Sequence, residues 1–419
     1  MIARRRRSLS IAGGFLAAFG ALYVAQSTLE ETATAQSKNS VQAPRFEVDP
    51  MWPKPMPNHW LLGSTIGVWV DAQDRVWIIH RSSATLDATE RGAEVTPPVA
   101  ECCKGAPPVL VFDAAKGDLV SHWGGPANGY EWPTSNHGIF VDHKGNVWIG
   151  GNGPGDSQIL KFTKEGKFLN QFGKANARLV PGSPAPQPNA GRGGPQPKFT
   201  GGSHDQTSFG RVAKIFVDPV TNKAFVADGY LNKRVAVLDA DSGKMERYWG
   251  AYGEKPDDTN LPPYSASAPP DKQFRTPVHC ADVSNDGFVY ACDRVNNRIQ
   301  VFTKDGKFIK EGFVMKNTLA AGAAWDVAFS KDAQQKYLYV ADGQNAKVHV
   351  LDRQSLQVLT SFGDGGRQPG QFFGVHSIAT DSKGNLYTTE TYEGKRLQKF
   401  VFKGVGSVSD NQGILWPKR

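Results

Sequence analysis

The sequence predicts an all-β protein folded as a six-bladed β-propeller. A unit of apolar strand, acidic or polar turn and second apolar strand recurs six times along 419 residues. Within each copy apolar and polar residues alternate, the pattern of half-buried strands in stacked sheets. The chain also carries 45 Gly and 27 Pro, which suits short strands separated by turns.

The first three copies read Gly67-Val-Trp-Val-Asp71…Val76-Trp-Ile-Ile79, Ile139-Phe-Val-Asp142…Val147-Trp-Ile149 and Ile215-Phe-Val-Asp218…Ala224-Phe-Val-Ala227. The last three read Ala281-Asp-Val-Ser284…Phe288-Val-Tyr-Ala291, Val327-Ala-Phe-Ser330…Tyr337-Leu-Tyr-Val340 and Ile378-Ala-Thr-Asp381…Leu386-Tyr-Thr388. Third and fourth strands follow, clearest at 232–239, 297–302 and 346–352.

Aligning the copies on Asp71, Asp142, Asp218, Ser284, Ser330 and Asp381 exposes a second pattern. Five residues earlier stand Ile66, His137, Ala213, His279, Trp325 and His376. Histidine occupies copies two, four and six only. Alternate blades of a six-fold ring lie about 120° apart, so three innermost-strand imidazoles would meet on the axis. Three converging imidazoles with an open fourth position are the ligand set of a catalytic zinc. His59, His80, His122, His143, His204 and His349 share no such register.

Antiparallel pairing puts the end of each second strand on the face where the first strand begins. Arg81, Tyr230 and Arg294 stand just after second strands, so they are expected around the metal. A guanidinium holds a carboxylate through two parallel hydrogen bonds. A phenol can carry a proton or hold an oxyanion.

Three insertions, at roughly 82–108, 174–208 and 252–273, interrupt the period and are rich in Pro, Gly or acidic residues. Residues 1–35 read as a signal peptide: Arg4 to Arg7 form a basic start, Ile11 to Ala25 an apolar stretch, and Ala33-Thr34-Ala35 a small-x-small cleavage site. Residues 36–60, with five prolines, read as an extended lead-in, and 61–419 as the propeller. The folded part is expected to be periplasmic or secreted, meeting a membrane only if the N-terminal segment stays uncleaved. Net charge is +8, of which the signal segment holds +2. The remaining basic residues are scattered, which argues against a nucleic-acid surface. Four cysteines suit an oxidising compartment. Cys280 and Cys292 flank the turn Asn285-Asp286-Gly287 and fit a cross-strand disulfide, while Cys102 and Cys103 could close a vicinal ring or remain thiols.

These residues carry a family resemblance. The repeats look like NHL repeats, and the central two-thirds of the chain resembles peptidyl-α-hydroxyglycine α-amidating lyase. The likeness rests on Asp228-Gly-Tyr-Leu-Asn-Lys-Arg-Val235, on Phe274-Arg-Thr-Pro-Val-His279, on Asp293-Arg-Val-Asn-Asn-Arg-Ile-Gln300 and on His137-Gly138, with His376 at the third ligand position. By that resemblance His137, His279 and His376 bind Zn²⁺. Tyr230 acts on the substrate hydroxyl, and Arg81 and Arg294 hold a carboxylate. The implied reaction cleaves a hydroxyglycine carbinolamide to amide and glyoxylate. The implied partner is a small molecule or peptide bearing a carboxylate. The resemblance also implies Ca²⁺, though Ser377 stands where the family has its aspartate. Gly374-Val375 replace Met-Pro, and Leu231 replaces the cysteine beside the tyrosine. Two other readings use the same fold: a zinc hydrolase that opens a lactone, and a non-catalytic propeller that binds protein or glycan through its insertions.

Overall fold

The computed structural model describes residues 41–184 and 197–417; the segment 1–35 read as a signal peptide lies outside them. Six four-stranded antiparallel sheets form the blades of a propeller. The innermost strands, in blade order, are Thr65–Val70, Asn136–Val141, Val212–Asp218, Val278–Val283, Asp326–Phe329 and Val375–Thr380. Blades one to five take their four strands in chain order, and only in blade one does another strand, Lys104–Gly105 of the first insertion, intervene.

Blade six is built differently. Its outermost strand is Val41–Val48, paired antiparallel with Arg396–Val408 from Val41↔Val408 to Val48↔Phe400. Within the segment expected as a lead-in, these eight residues therefore close the ring. Pairing the segment ahead of blade one with the third strand of blade six ties the first blade to the last. Phe46 packs between Tyr339, Phe362 and Phe402, which anchors the closing strand in the core between blades five and six.

The turn residues used for the alignment fix the first hairpin of the blades, most alike in blades one, two and six. Asp71 accepts the backbone N–H groups of Gln73 and Arg75 on Oδ1 and the Trp77 indole N–H on Oδ2. Asp142 repeats this with Lys144, Asn146 and Trp148, and Asp381 with Lys383, Asn385 and the Tyr387 hydroxyl. A carboxylate that caps two backbone donors fixes the hairpin, and its other oxygen ties down a core aromatic. Ser284 and Ser330 accept one backbone N–H each, from Phe288 and Tyr337.

All three insertions leave from the face on which the innermost strands begin. The first lies between the second and third strands of blade one, and the others follow the fourth strands of blades two and three. They are tied down: Glu90 pairs with Lys395 of blade six at 2.7 Å, and Asp258 of the third insertion accepts the Ser203 N–H of the second at 2.8 Å. Cys280–Cys292 is a disulfide across the first two strands of blade four, and Cys102–Cys103 is a vicinal disulfide in the first insertion. Among the described residues no helix is long and apolar enough to cross a membrane.

Candidate metal centre

A strand directs successive side chains to opposite faces, which in a propeller blade means toward the neighbouring blades rather than the axis. The histidines reach the axis because the ladder is irregular where they stand. In blades one, two, three, four and six the register shifts at this position, between Thr65 and Gly67, Asn136 and Ile139, Val212 and Lys214, Val278 and Ala281, and Val375 and Ser377. Such bulges re-aim a side chain. The tight inner ring also requires Gly138, whose missing Cβ would stand 2.8 Å from the Ala213 carbonyl oxygen.

The structure brings His137, His279 and His376 together. Their ring centroids lie 4.8–5.0 Å apart and their candidate ligand atoms within 4.8 Å of one another. Each is buried. Each has Nδ1 against a backbone carbonyl of the following blade: His137 on Ala213 at 2.6 Å, His279 on Trp325, and His376 on Ile66 at 2.7 Å. A carbonyl oxygen only accepts, so each Nδ1 carries the proton and each Nε2 presents a lone pair. The three acceptors are the residues that hold the histidine register in copies three, five and one. Even blades thus supply the imidazoles and odd blades supply the carbonyls that orient them, an arrangement that also raises ligand basicity.

Burial holds all three imidazoles neutral. It depresses His137 and His279 well below the usual range, helped by His376 and the nearby arginines, and lowers His376 to about 3.

Tyr230 Oη lies 2.8 Å from His137 Nε2 and 3.0 Å from His279 Nε2. One phenol proton can satisfy only one of these two lone pairs, and His376 offers a third. Neutral nitrogen donors with too few protons among them fit a divalent cation, and three imidazoles are a ligand set that suits zinc.

The expected residues around the histidines are present. Arg294 Nη1 lies 3.4 Å from Tyr230 Oη, and its guanidinium stacks 4.4 Å from the Trp325 ring. Its Nε is buried with no protein partner. Asp293 is not paired with it: that carboxylate is held by Arg298 at 2.7 Å. Arg81 donates to Asn152 Oδ1 at 3.0 Å. Burial lowers the Arg81 guanidinium and raises the Tyr230 phenol, while Arg294 and Arg81 pull the phenol back down.

The loops that present these groups are pinned by buried acids at the ends of second strands. Asp228 pairs with Arg234 at 2.8 Å and accepts the Gly210 N–H. Asp293 accepts the Arg275 N–H in addition to Arg298. Glu390 pairs with Arg396 at 2.5 Å and accepts the Phe373 N–H. Gly229, between Asp228 and Tyr230, passes so close to the Val278 backbone that a Cβ would stand 2.0 Å from its carbonyl oxygen. No larger residue would leave Tyr230 over the axis.

Two residues of the site were not anticipated. Asn152 follows the second strand of blade two, and bonds Arg81 and the Ser135 hydroxyl. Tyr392 stands two residues after Glu390 as Tyr230 stands two after Asp228; it is half-exposed, near Trp325, with φ 50°. The strand-end rule that selected Arg81, Tyr230 and Arg294 names both when applied to copies two and six. The other histidines stay out of the site. His80 is buried and structural, accepting the N–H groups of Gly63 and Ser82 on Nδ1, and His204 lies beside Tyr248.

The calcium implied by the resemblance meets a different arrangement. Beneath the histidines Lys214 sends its ammonium to Asp326 at 2.6 Å and Asp282 at 3.0 Å, and Ser377 donates to Asp326 at 2.6 Å. The carboxylates of this layer already hold a cation of the chain's own, and Cys280 beside them is in a disulfide.

No family model matches the chain. It is 28 % identical over 266 residues to peptidyl-glycine alpha-amidating monooxygenase of Mus musculus, covering 61 % of this chain and 22 % of that protein. It is 25 % identical over 345 residues to peptidyl-glycine alpha-amidating monooxygenase A of Xenopus laevis, covering 79 % and 31 %. To NHL repeat-containing protein 3 of Mus musculus it is 25 % identical over 380 residues, covering 86 % and 85 %. The chain is an NHL-like six-bladed β-propeller with a buried three-histidine cluster, similar to amidating monooxygenases over a fifth to a third of their length.

Proposed function

We propose that this protein is a zinc-dependent carbon–nitrogen lyase that cleaves a carboxylate-bearing carbinolamide, an α-hydroxyglycine unit, to an amide and glyoxylate. The observation that carries this reading is the Tyr230 hydroxyl, in hydrogen-bond reach of two of the three histidines and beside Arg294. The similarity to amidating monooxygenases supports it.

His137, His279 and His376 would hold the metal. When bound, it supplies positive charge that favours deprotonation of a hydroxyl brought to it. Tyr230 would act as the phenolate, its own proton lost beforehand to solvent under the positive charge of the metal, Arg294 and Arg81; it takes up the carbinol proton and returns it to the departing amide nitrogen. As the O–H bond breaks, the carbinol oxygen forms the C=O of glyoxylate. The C–N pair leaves with nitrogen, which takes the proton, and nothing outside the substrate is oxidised or reduced. Arg81 and Arg294 hold the carboxylate with paired N–H groups and orient the C–N bond. Two disulfides support a periplasmic or secreted location.

The test is release of glyoxylate and benzamide in equal amounts from N-benzoyl-α-hydroxyglycine by purified protein of known metal content. Metal-replete protein that releases neither would overturn the reading. Lactone opening by the same protein would favour the hydrolase, and absence of both activities and of metal would favour a binding propeller.

A further inference from the structure

We infer that the end of the propeller axis opposite the histidines is a second ligand site, for a small primary amine. The layer of Lys214, Asp282, Asp326 and Ser377 divides the axis. Lys214, Asp326 and Ser377 floor a small cavity under the histidines. Asp282 instead lines a separate cavity of about 170 Å³ on the far side, walled by Trp69, Phe216, Phe329 and Ile378 with the polar side chains of Asn285 and Gln335 among them. An apolar cavity of about 150 Å³ accommodates benzene, so this one admits a ligand of six to eight heavy atoms.

Charge and hydrogen bonding define what enters. Two carboxylates share one ammonium in the dividing layer. Asp326 is fully used: Oδ1 by Lys214 and the Val327 N–H, Oδ2 by Ser377 and the Ile378 N–H. Asp282 is not. Its Oδ1 meets Lys214, but its Oδ2 is buried with no partner, and the residue is 3 % exposed. A lone buried carboxylate oxygen is costly and calls for a donor. Burial, opposed by Lys214 and reinforced by Asp326, pushes this carboxyl up. The walls add to the preference. Trp69 and Phe216 are only partly buried and lie edge to face at 5.9 Å, and aromatic faces attract a cation. Lys331 also lines the cavity; burial lowers its ammonium, opposed by Asp381 and Asp74. An ammonium on a short apolar body, placed beside Asp282, supplies the charge this layer lacks and packs against the aromatic walls.

Benzylamine is the probe, titrated calorimetrically into the full-length protein, with benzyl alcohol as its neutral counterpart. The expected result is one saturable site for benzylamine, with benzyl alcohol at least tenfold weaker. Asp282→Asn should weaken benzylamine at least tenfold while leaving metal content unchanged. Ala328→Leu, which narrows the cavity and leaves every ion pair in place, should abolish binding. Absence of saturable benzylamine binding, or binding undiminished in Ala328→Leu, overturns the inference. The second result also covers the case in which Asp282→Asn does not fold. Neither outcome depends on lyase activity.

Discussion

His376 donates its Nδ1–H to the backbone carbonyl of Ile66 at 2.7 Å, across 310 positions of sequence. The last blade's imidazole is thus oriented by the first blade, as His137 is by blade three and His279 by blade five. One relation, applied three times around the ring, sets the tautomer of every candidate ligand.

Removing any one imidazole should release the metal. His137→Ala, His279→Ala and His376→Ala should each lose most bound zinc, because two ligands rarely hold it well. Elemental analysis of the purified variants checks this. A triple alanine variant with full zinc content would place the metal elsewhere.

Tyr230→Phe deletes the hydroxyl that faces two histidines. The variant should keep its zinc and its melting temperature while single-turnover cleavage falls ~10²-fold or more. Wild-type turnover in this variant would end the proton-transfer role.

Arg294→Lys keeps the charge but loses the planar fork and the stacking on Trp325 at 4.4 Å. KM for the carboxylate substrate should rise, with a smaller fall in kcat. A purely structural role predicts the reverse pattern, a lower melting temperature with unchanged KM in the folded fraction.

The Cys280–Cys292 disulfide closes a short loop, with a sequence separation of 12. Replacing both cysteines by serine should lower unfolding free energy by about 2–3 kcal/mol. Denaturant titration measures it, and peptide mapping without reduction should recover the two residues in one linked fragment.

Much of the site could be read from local sequence because a propeller repeats one geometry. Equal positions in equivalent innermost strands fall at equal height around the axis, so the shared register of His137, His279 and His376 places them at one level on alternate blades. Antiparallel pairing likewise carries Arg81, Tyr230 and Arg294 to the same face. Cys280 and Cys292 flank one hairpin turn, so their proximity is local too. Asn152 and Tyr392 obey the same rule and needed only its application to the remaining copies.

Other features arise from contacts that no repeat encodes. Val41–Val48 becomes the outer strand of blade six by pairing with residues more than 300 positions away, and a proline-rich lead-in carries no sign of such a partner. The bulges that turn the histidines toward the axis come from ladder register, which depends on both strands at once. The ammonium of Lys214 lies between carboxylates of two other blades, a meeting decided by the closed ring. Periodicity sets where a side chain stands within its blade. Which backbone carbonyl, ion or cavity it then faces depends on the neighbouring blade, and that neighbour exists only once the ring has closed.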